Sequence, residues 1–136
     1  MKRLLITFRA AQLFAHYGHN VVSGSSFFAD HAFLGDLYDA YTESYDAIAE
    51  RVIGKGAAED LLSINITAAE LAKEVGKDNP TKAQVLFKIL MSIEKDICKE
   101  IDKAMESASS GTQNLLQGLA DASEQRQYKI KQRLGE

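Results

Sequence analysis

Between residues 27 and 52 the apolar and aromatic side chains recur in steps of four and three: Phe27, His31, Leu34, Tyr38, Tyr41, Tyr45, Ile48 and Val52. A strand would alternate every second residue, whereas this spacing lines one side of an α-helix. The stripe predicts a helix from about Ser26 to Gly54, roughly 42 Å long at 1.5 Å per residue. A stripe that long needs other helices of similar length laid along it.

The rest of the chain supplies them. A first helix is expected from about Lys2 to Val22, stopped by Ser23-Gly24, with Ser25 or Ser26 to cap the next. Gly54-Lys55-Gly56 ends the second. Thr67 with Glu70 reads as a capping box opening a short helix that Gly76 stops. Asn79-Pro80 then opens a third long helix, with proline in the first turn, where its missing N–H costs nothing. Leu86, Ile89, Leu90, Ile93, Ile97, Ile101 and Met105 give that helix its apolar face. After a break at Ser107 to Gly111, with Thr112 as a cap, Leu115, Leu116, Leu119, Tyr128, Ile130 and Leu134 stripe the last helix more thinly.

The order is two long helices, a connection of more than twenty residues, and two more long helices. Short links join antiparallel neighbours and a long crossover joins helices pointing the same way. The expected fold is all-α: a ferritin-like four-helix bundle with a short extra helix in the long connection between the second and third helices. At 136 residues, 46% of them apolar and 26% charged, the chain makes a single domain over 1–136 with a real core.

The net charge of −3 offers no broad positive field for nucleic acid. Cys98 is the only cysteine, which excludes an intrachain disulfide and a thiolate cluster and suits a reducing cytoplasm. The apolar start, Met1 to Phe8, is cut short by Arg9 and has no cleavage site after it, so an unprocessed soluble protein is expected. No run reaches the roughly 18 apolar residues of a membrane span.

His16, His19 and His31, the three histidines, all lie in the first quarter of the chain. His31 sits on the apolar stripe, where a core imidazole with satisfied nitrogens is the plainer reading. The second helix also carries Asp36, Asp39, Glu43, Asp46 and Glu50 at helical spacing. This ridge admits two readings, a solvated polar face or a cation site, and only Arg51 and Lys55 stand close enough to relieve its repulsion. His31 and Asp46 are fifteen residues apart, roughly 22 Å along a helix. Metal–ligand bonds are about 2.0–2.5 Å. If the histidines and the Asp46/Glu50 pair serve one metal, they must therefore come from different subunits. An antiparallel two-fold pairing of second helices would meet that condition. The in-bundle di-iron site built on Glu-x-x-His pairs is ruled out, because no such pair occurs.

The run His19-Asn20-Val21-Val22-Ser23-Gly24-Ser25-Ser26-Phe27-Phe28-Ala29-Asp30-His31, with Tyr38 and then Asp46-Ala47-Ile48-Ala49-Glu50-Arg51, closely resembles the Dps family, the DNA-binding proteins from starved cells or miniferritins. The match covers about residues 10 to 56, and Gly111 to Leu116 is similar to the start of the family's last helix. The resemblance implies a hollow dodecamer with ferroxidase centres at its two-fold interfaces. His19 and His31 of one subunit would face Asp46 and Glu50 of its neighbour. It implies oxidation of iron(II), typically by hydrogen peroxide with oxygen as the alternative, and storage of the ferric mineral inside the shell. Asp36, Asp39 and Glu43 become candidates for mineral nucleation, and His16 matches a variant of the motif.

Three features depart from the family pattern. Gly35 stands where an Asp often contributes a carboxylate, which puts a second iron in question. Asn20 replaces a Trp. The basic residues before the first helix are few, and Lys129, Lys131 and Arg133 at the other end do not make the multi-phosphate surface that salt-resistant binding needs. Weak or absent DNA binding is expected. The competing readings are a nucleoid-type DNA-binding protein and a purely structural helical oligomer.

Overall fold

The computed structural model describes residues 1–57 and 60–136. They form α1 (Lys2–Val21), α2 (Phe27–Gly54), α3 (Leu61–Val75), α4 (Ala83–Met105) and α5 (Ser110–Leu134). Among the described residues the only β-type pairing is an isolated bridge between Ser23 and Lys82. α1 packs on α2 and α4 on α5, while α1 also meets α3 and α4. This is the expected four-helix bundle, with α3 as the short helix of the crossover.

The α2 stripe packs as its spacing dictates. Leu34, Tyr41, Tyr45, Ile48 and Val52 are buried in one core cluster with Leu5, Phe8, Leu90 and Ile97 of the other helices. Each such side chain is worth about 1.5–3 kcal/mol when fully buried. The stripe fails at one end: Phe27 remains 38% exposed, and Phe28 beside it 87%. Tyr128, assigned to the apolar face of the last helix, is 64% exposed and only Leu116 and Ile130 of that face are buried.

Three helix starts differ from the sequence expectation. α3 begins at Leu61, not near Thr67, because Asp60 Oδ1 accepts the Ser63 N–H at 3.0 Å and caps it there. The stripe Leu61, Ile64, Ala68, Leu71 continues the helix through Thr67, whose hydroxyl donates back to the Ser63 carbonyl at 3.1 Å. The second correction is Pro80, which lies before α4 and not in its first turn. The Pro80 carbonyl accepts the Tyr17 hydroxyl at 2.8 Å, and the Thr81 carbonyl accepts the Ser23 N–H at 2.9 Å. Those carbonyls are spent tying the crossover to the α1–α2 corner, so the helix starts only after them. Finally, Thr112 lies inside α5 and does not cap it. Its hydroxyl pairs with that of the capping residue Ser109 at 3.2 Å.

The α1–α2 corner is short, and Gly24 turns it at φ +130°, a conformation that L side chains rarely adopt. Its far side is pinned by Arg133 of α5, which grips Asp30 of α2 with two hydrogen bonds of 2.8 Å. Asp30 is buried, so this ion pair fixes the first turn of α2 and, with it, His31.

Candidate metal centre

The short corner folds the end of α1 back along the start of α2, and this brings His19 onto His31. The two imidazoles stack with centroids 3.7 Å apart and planes 20° from parallel. Each Nδ1 lies 2.7 Å from the backbone carbonyl of the other residue. A carbonyl oxygen can only accept, so each Nδ1 carries the hydrogen and donates it. The Nε2 atoms are then left as the lone-pair nitrogens, the form in which imidazole binds a metal. A core histidine with both nitrogens satisfied would not look like this; among the described residues no hydrogen bond reaches either Nε2.

Neighbouring residues set the ring positions. Phe27 lies near-parallel to His31 at 5.1 Å and 25°. Gly35 is one turn beyond His31, and a Cβ placed on it would sit 3.1 Å from Cε1 and Nδ1 of His19. The missing side chain is thus what lets His19 lie flat against α2. His16 stacks instead on Tyr38, at 4.3 Å and 26°.

The carboxylates are elsewhere. α2 runs unbroken from Phe27 to Gly54, so Asp46 and Glu50 stand roughly 22 and 28 Å along it from His31. Both are exposed, as are Asp36, Asp39 and Glu43, and among the described residues none of the five has a hydrogen-bonded or ionic partner. No three His, Cys, Asp or Glu side chains converge on one point among the described residues. A single chain therefore assembles the histidine pair and leaves the Asp46/Glu50 pair apart.

The bundle interior holds a polar cluster that sequence reasoning missed. Glu94 of α4 is 0% exposed. Arg126 of α5 reaches its carboxylate through Nε at 2.5 Å and Nη2 at 3.2 Å. The Ser123 hydroxyl donates to Glu94 Oε2 at 2.6 Å, and the Tyr41 hydroxyl donates to Oε1. Burial, reinforced by the Glu94 charge, holds the Tyr41 phenol well above its ordinary range. Burial alone would lower the Arg126 guanidinium, but its hydrogen bonds and charge contact with Glu94 outweigh that and raise it. The signal was present in the sequence: Glu94 occupies a core position between Leu90 and Ile97, where an unpaired charge is not tolerated.

A ferritin-like domain matches residues 3–136, nearly the whole chain. The chain belongs to the ferritin-like family. No curated protein matches it. Membership of this family supports an iron-storage or iron-oxidising role in general terms. In this ferritin-like chain the buried carboxylates of the interior, Glu94 and Asp30, are each paired with an arginine. The ferritin-like bundle contains, among the described residues, no helix long and apolar enough to cross a membrane.

Proposed function

We propose that the protein is a Dps-type miniferritin that oxidises iron(II) and stores the ferric product inside a twelve-chain shell. The observation that carries this is the preset His19/His31 pair. Its two Nε2 lone pairs are free, while the partnerless Asp46 and Glu50 stand too far along α2 to join them within one chain. Two imidazole nitrogens and two carboxylates suit iron(II), and a two-fold axis supplies each pair with the other.

Iron is here the substrate. Each of two iron(II) ions gives up one electron, and a peroxide accepts both as its O–O bond breaks, taking up protons to leave as water. Oxygen is the alternative oxidant. The chain's own contribution is to hold His19 and His31 in the metal-binding tautomer through their carbonyl contacts, and to offer exposed carboxylates. Asp36 and Glu43 extend an acidic surface on which ferric ions can gather. Binding of DNA is expected to be weak: of the three C-terminal cations, Arg133 is already engaged by Asp30. A gel shift at moderate salt checks that point.

The test is size together with turnover. Particles near twelve chains and fast iron(II) oxidation with a soluble ferric core are expected when peroxide is added. A stable monomer or simple dimer, or an oxidation rate unchanged by His31→Ala plus Asp46→Ala, would overturn the reading.

A further inference from the structure

The first turn of α2 lacks the usual local supports. Its capping residue Ser26 makes no side-chain hydrogen bond to the free N–H groups of the turn. Phe27, Phe28 and Ala29 are exposed, so apolar burial does not hold the turn either. Asp30 is the one buried residue between Val22 and Leu34, where the apolar packing of α2 begins.

Asp30 is held from the far end of the fold. Arg133, 103 residues away in the last turn of α5, donates Nε to one carboxylate oxygen and Nη2 to the other. Negative charge is favoured at the start of a helix and positive charge at its end, so the pair joins α2 and α5 at the ends that suit it. The guanidinium in turn lies over the ring of the buried Phe87, 5.5 Å from its centroid. His31 follows Asp30 directly. Its carbonyl accepts the Nδ1–H of His19, and its own Nδ1–H reaches the His19 carbonyl. Both contacts exist only while the first turn of α2 is wound.

We propose that Arg133 is a positioning residue for the histidine pair: by seating Asp30 it keeps the first turn of α2 wound and both Nε2 atoms free. The purpose of this device rests on the iron-centre reading, but its geometry does not. A terminal turn has an exit that a mid-helix position lacks. Glu94 without its arginine stays buried within α4, whereas Asp30 without Arg133 reaches water when one turn unwinds. Loss of Arg133 therefore releases the histidines while the bundle stays folded.

The test compares Arg133→Met, Arg133→Lys and Lys129→Met with the parent, all as full chains free of metal. Lys129 lies one turn earlier on α5, has no ionic partner among the described residues, and controls for the loss of a positive charge. With three histidines in the chain, solid-state 15N spectra of histidine-labelled protein resolve the Nδ1–H tautomers of His19 and His31. Arg133→Met should lose both. Its amides in the first turn of α2 should exchange with solvent about tenfold faster or more, while those of α4 keep their protection. Arg133→Lys, which keeps a donor for Asp30, should recover part of both effects, and Lys129→Met should match the parent. Tautomers and exchange unchanged in Arg133→Met overturn the proposal. So does protection lost equally throughout the bundle, which would make Arg133 a general stabiliser. Affinity for Co2+ should fall in step with the tautomers. A parent that binds no Co2+ and oxidises no iron(II) removes the iron centre, while the metal-free spectra and exchange still decide the role of Arg133.

Discussion

Replacing Arg126 by Met would leave Glu94 as a buried carboxylate without its counter-charge. The Glu94 side chain is 0% exposed and that of Arg126 only 12%, so water cannot substitute for the lost guanidinium. Breaking a buried pair from one side costs about 3–5 kcal/mol, whereas an exposed pair would cost at most about 1 kcal/mol. With a urea slope of about 2 kcal/mol/M for a chain of this size, the unfolding midpoint should fall by about 2 M. Removing the whole cluster should cost far less than removing one member. Glu94→Leu with Arg126→Met, plus Tyr41→Phe so that the phenol is not stranded, should return to within about 1 kcal/mol of the parent or exceed it, since the Ser123 hydroxyl keeps the backbone carbonyl of residue 94 as an acceptor at 3.3 Å. The assay is urea denaturation followed by circular dichroism at one fixed protein concentration, since assembly contributes to apparent stability. Two results would refute the reasoning: Arg126→Met within about 1 kcal/mol of the parent, or the triple variant as unstable as the single one.

Other perturbations separate local effects. Gly35→Ala should weaken binding of a divalent probe such as Co2+, because its Cβ crowds the His19 ring, while the melting temperature holds or rises through better helix propensity. Calorimetric titration alongside a thermal melt checks both halves, and unchanged affinity would count against the close approach. Tyr41 is neutral when buried and its proton is held more tightly in the folded state. Its stabilising effect is therefore complete below about pH 10 and lost as pH rises through the higher folded value. Melts at pH 8 and pH 11 should show a larger loss for the parent than for Tyr41→Phe, and equal losses would contradict this. Asp60→Ala removes the side-chain cap of α3 and should cost about 1 kcal/mol, roughly 4 °C in melting temperature.

How much of this was legible beforehand differs from element to element. The long helices were readable because apolar spacing reports burial directly: along α2 the stripe from Leu34 to Val52 is buried except at Tyr38, which is partly covered. Helix starts were less readable because they depend on contacts distant in sequence. Thr67 and Glu70 have the spacing of a capping box, yet the apolar residues Leu61 and Ile64 carry α3 back to Asp60. Pro80 has the right identity for a first turn, but its carbonyl belongs to Tyr17, sixty-three residues away. The pairing of Glu94 with Arg126 was hidden for the same reason, since sequence shows a charge on a stripe and not its partner. For the candidate centre, sequence supplied the residues and the roughly 22 Å that separates His31 from Asp46. The reciprocal Nδ1 contacts, and the room that Gly35 makes for His19, required the fold.

The measurement that bears most directly on the split centre is complementation between two defective chains. One carries His19→Ala and His31→Ala, the other Asp46→Ala and Glu50→Ala, and each alone should oxidise iron(II) slowly with peroxide. Unfolded together and co-assembled, half of the random pairings join one chain of each kind. Each such pair rebuilds one complete centre and leaves one without any ligand, so about a quarter of the parent activity should return. Recovery near that level is expected if His19 and His31 meet the partner's Asp46 and Glu50. Activity no higher than that of the separate variants, in particles of unchanged size, would contradict a centre shared between chains.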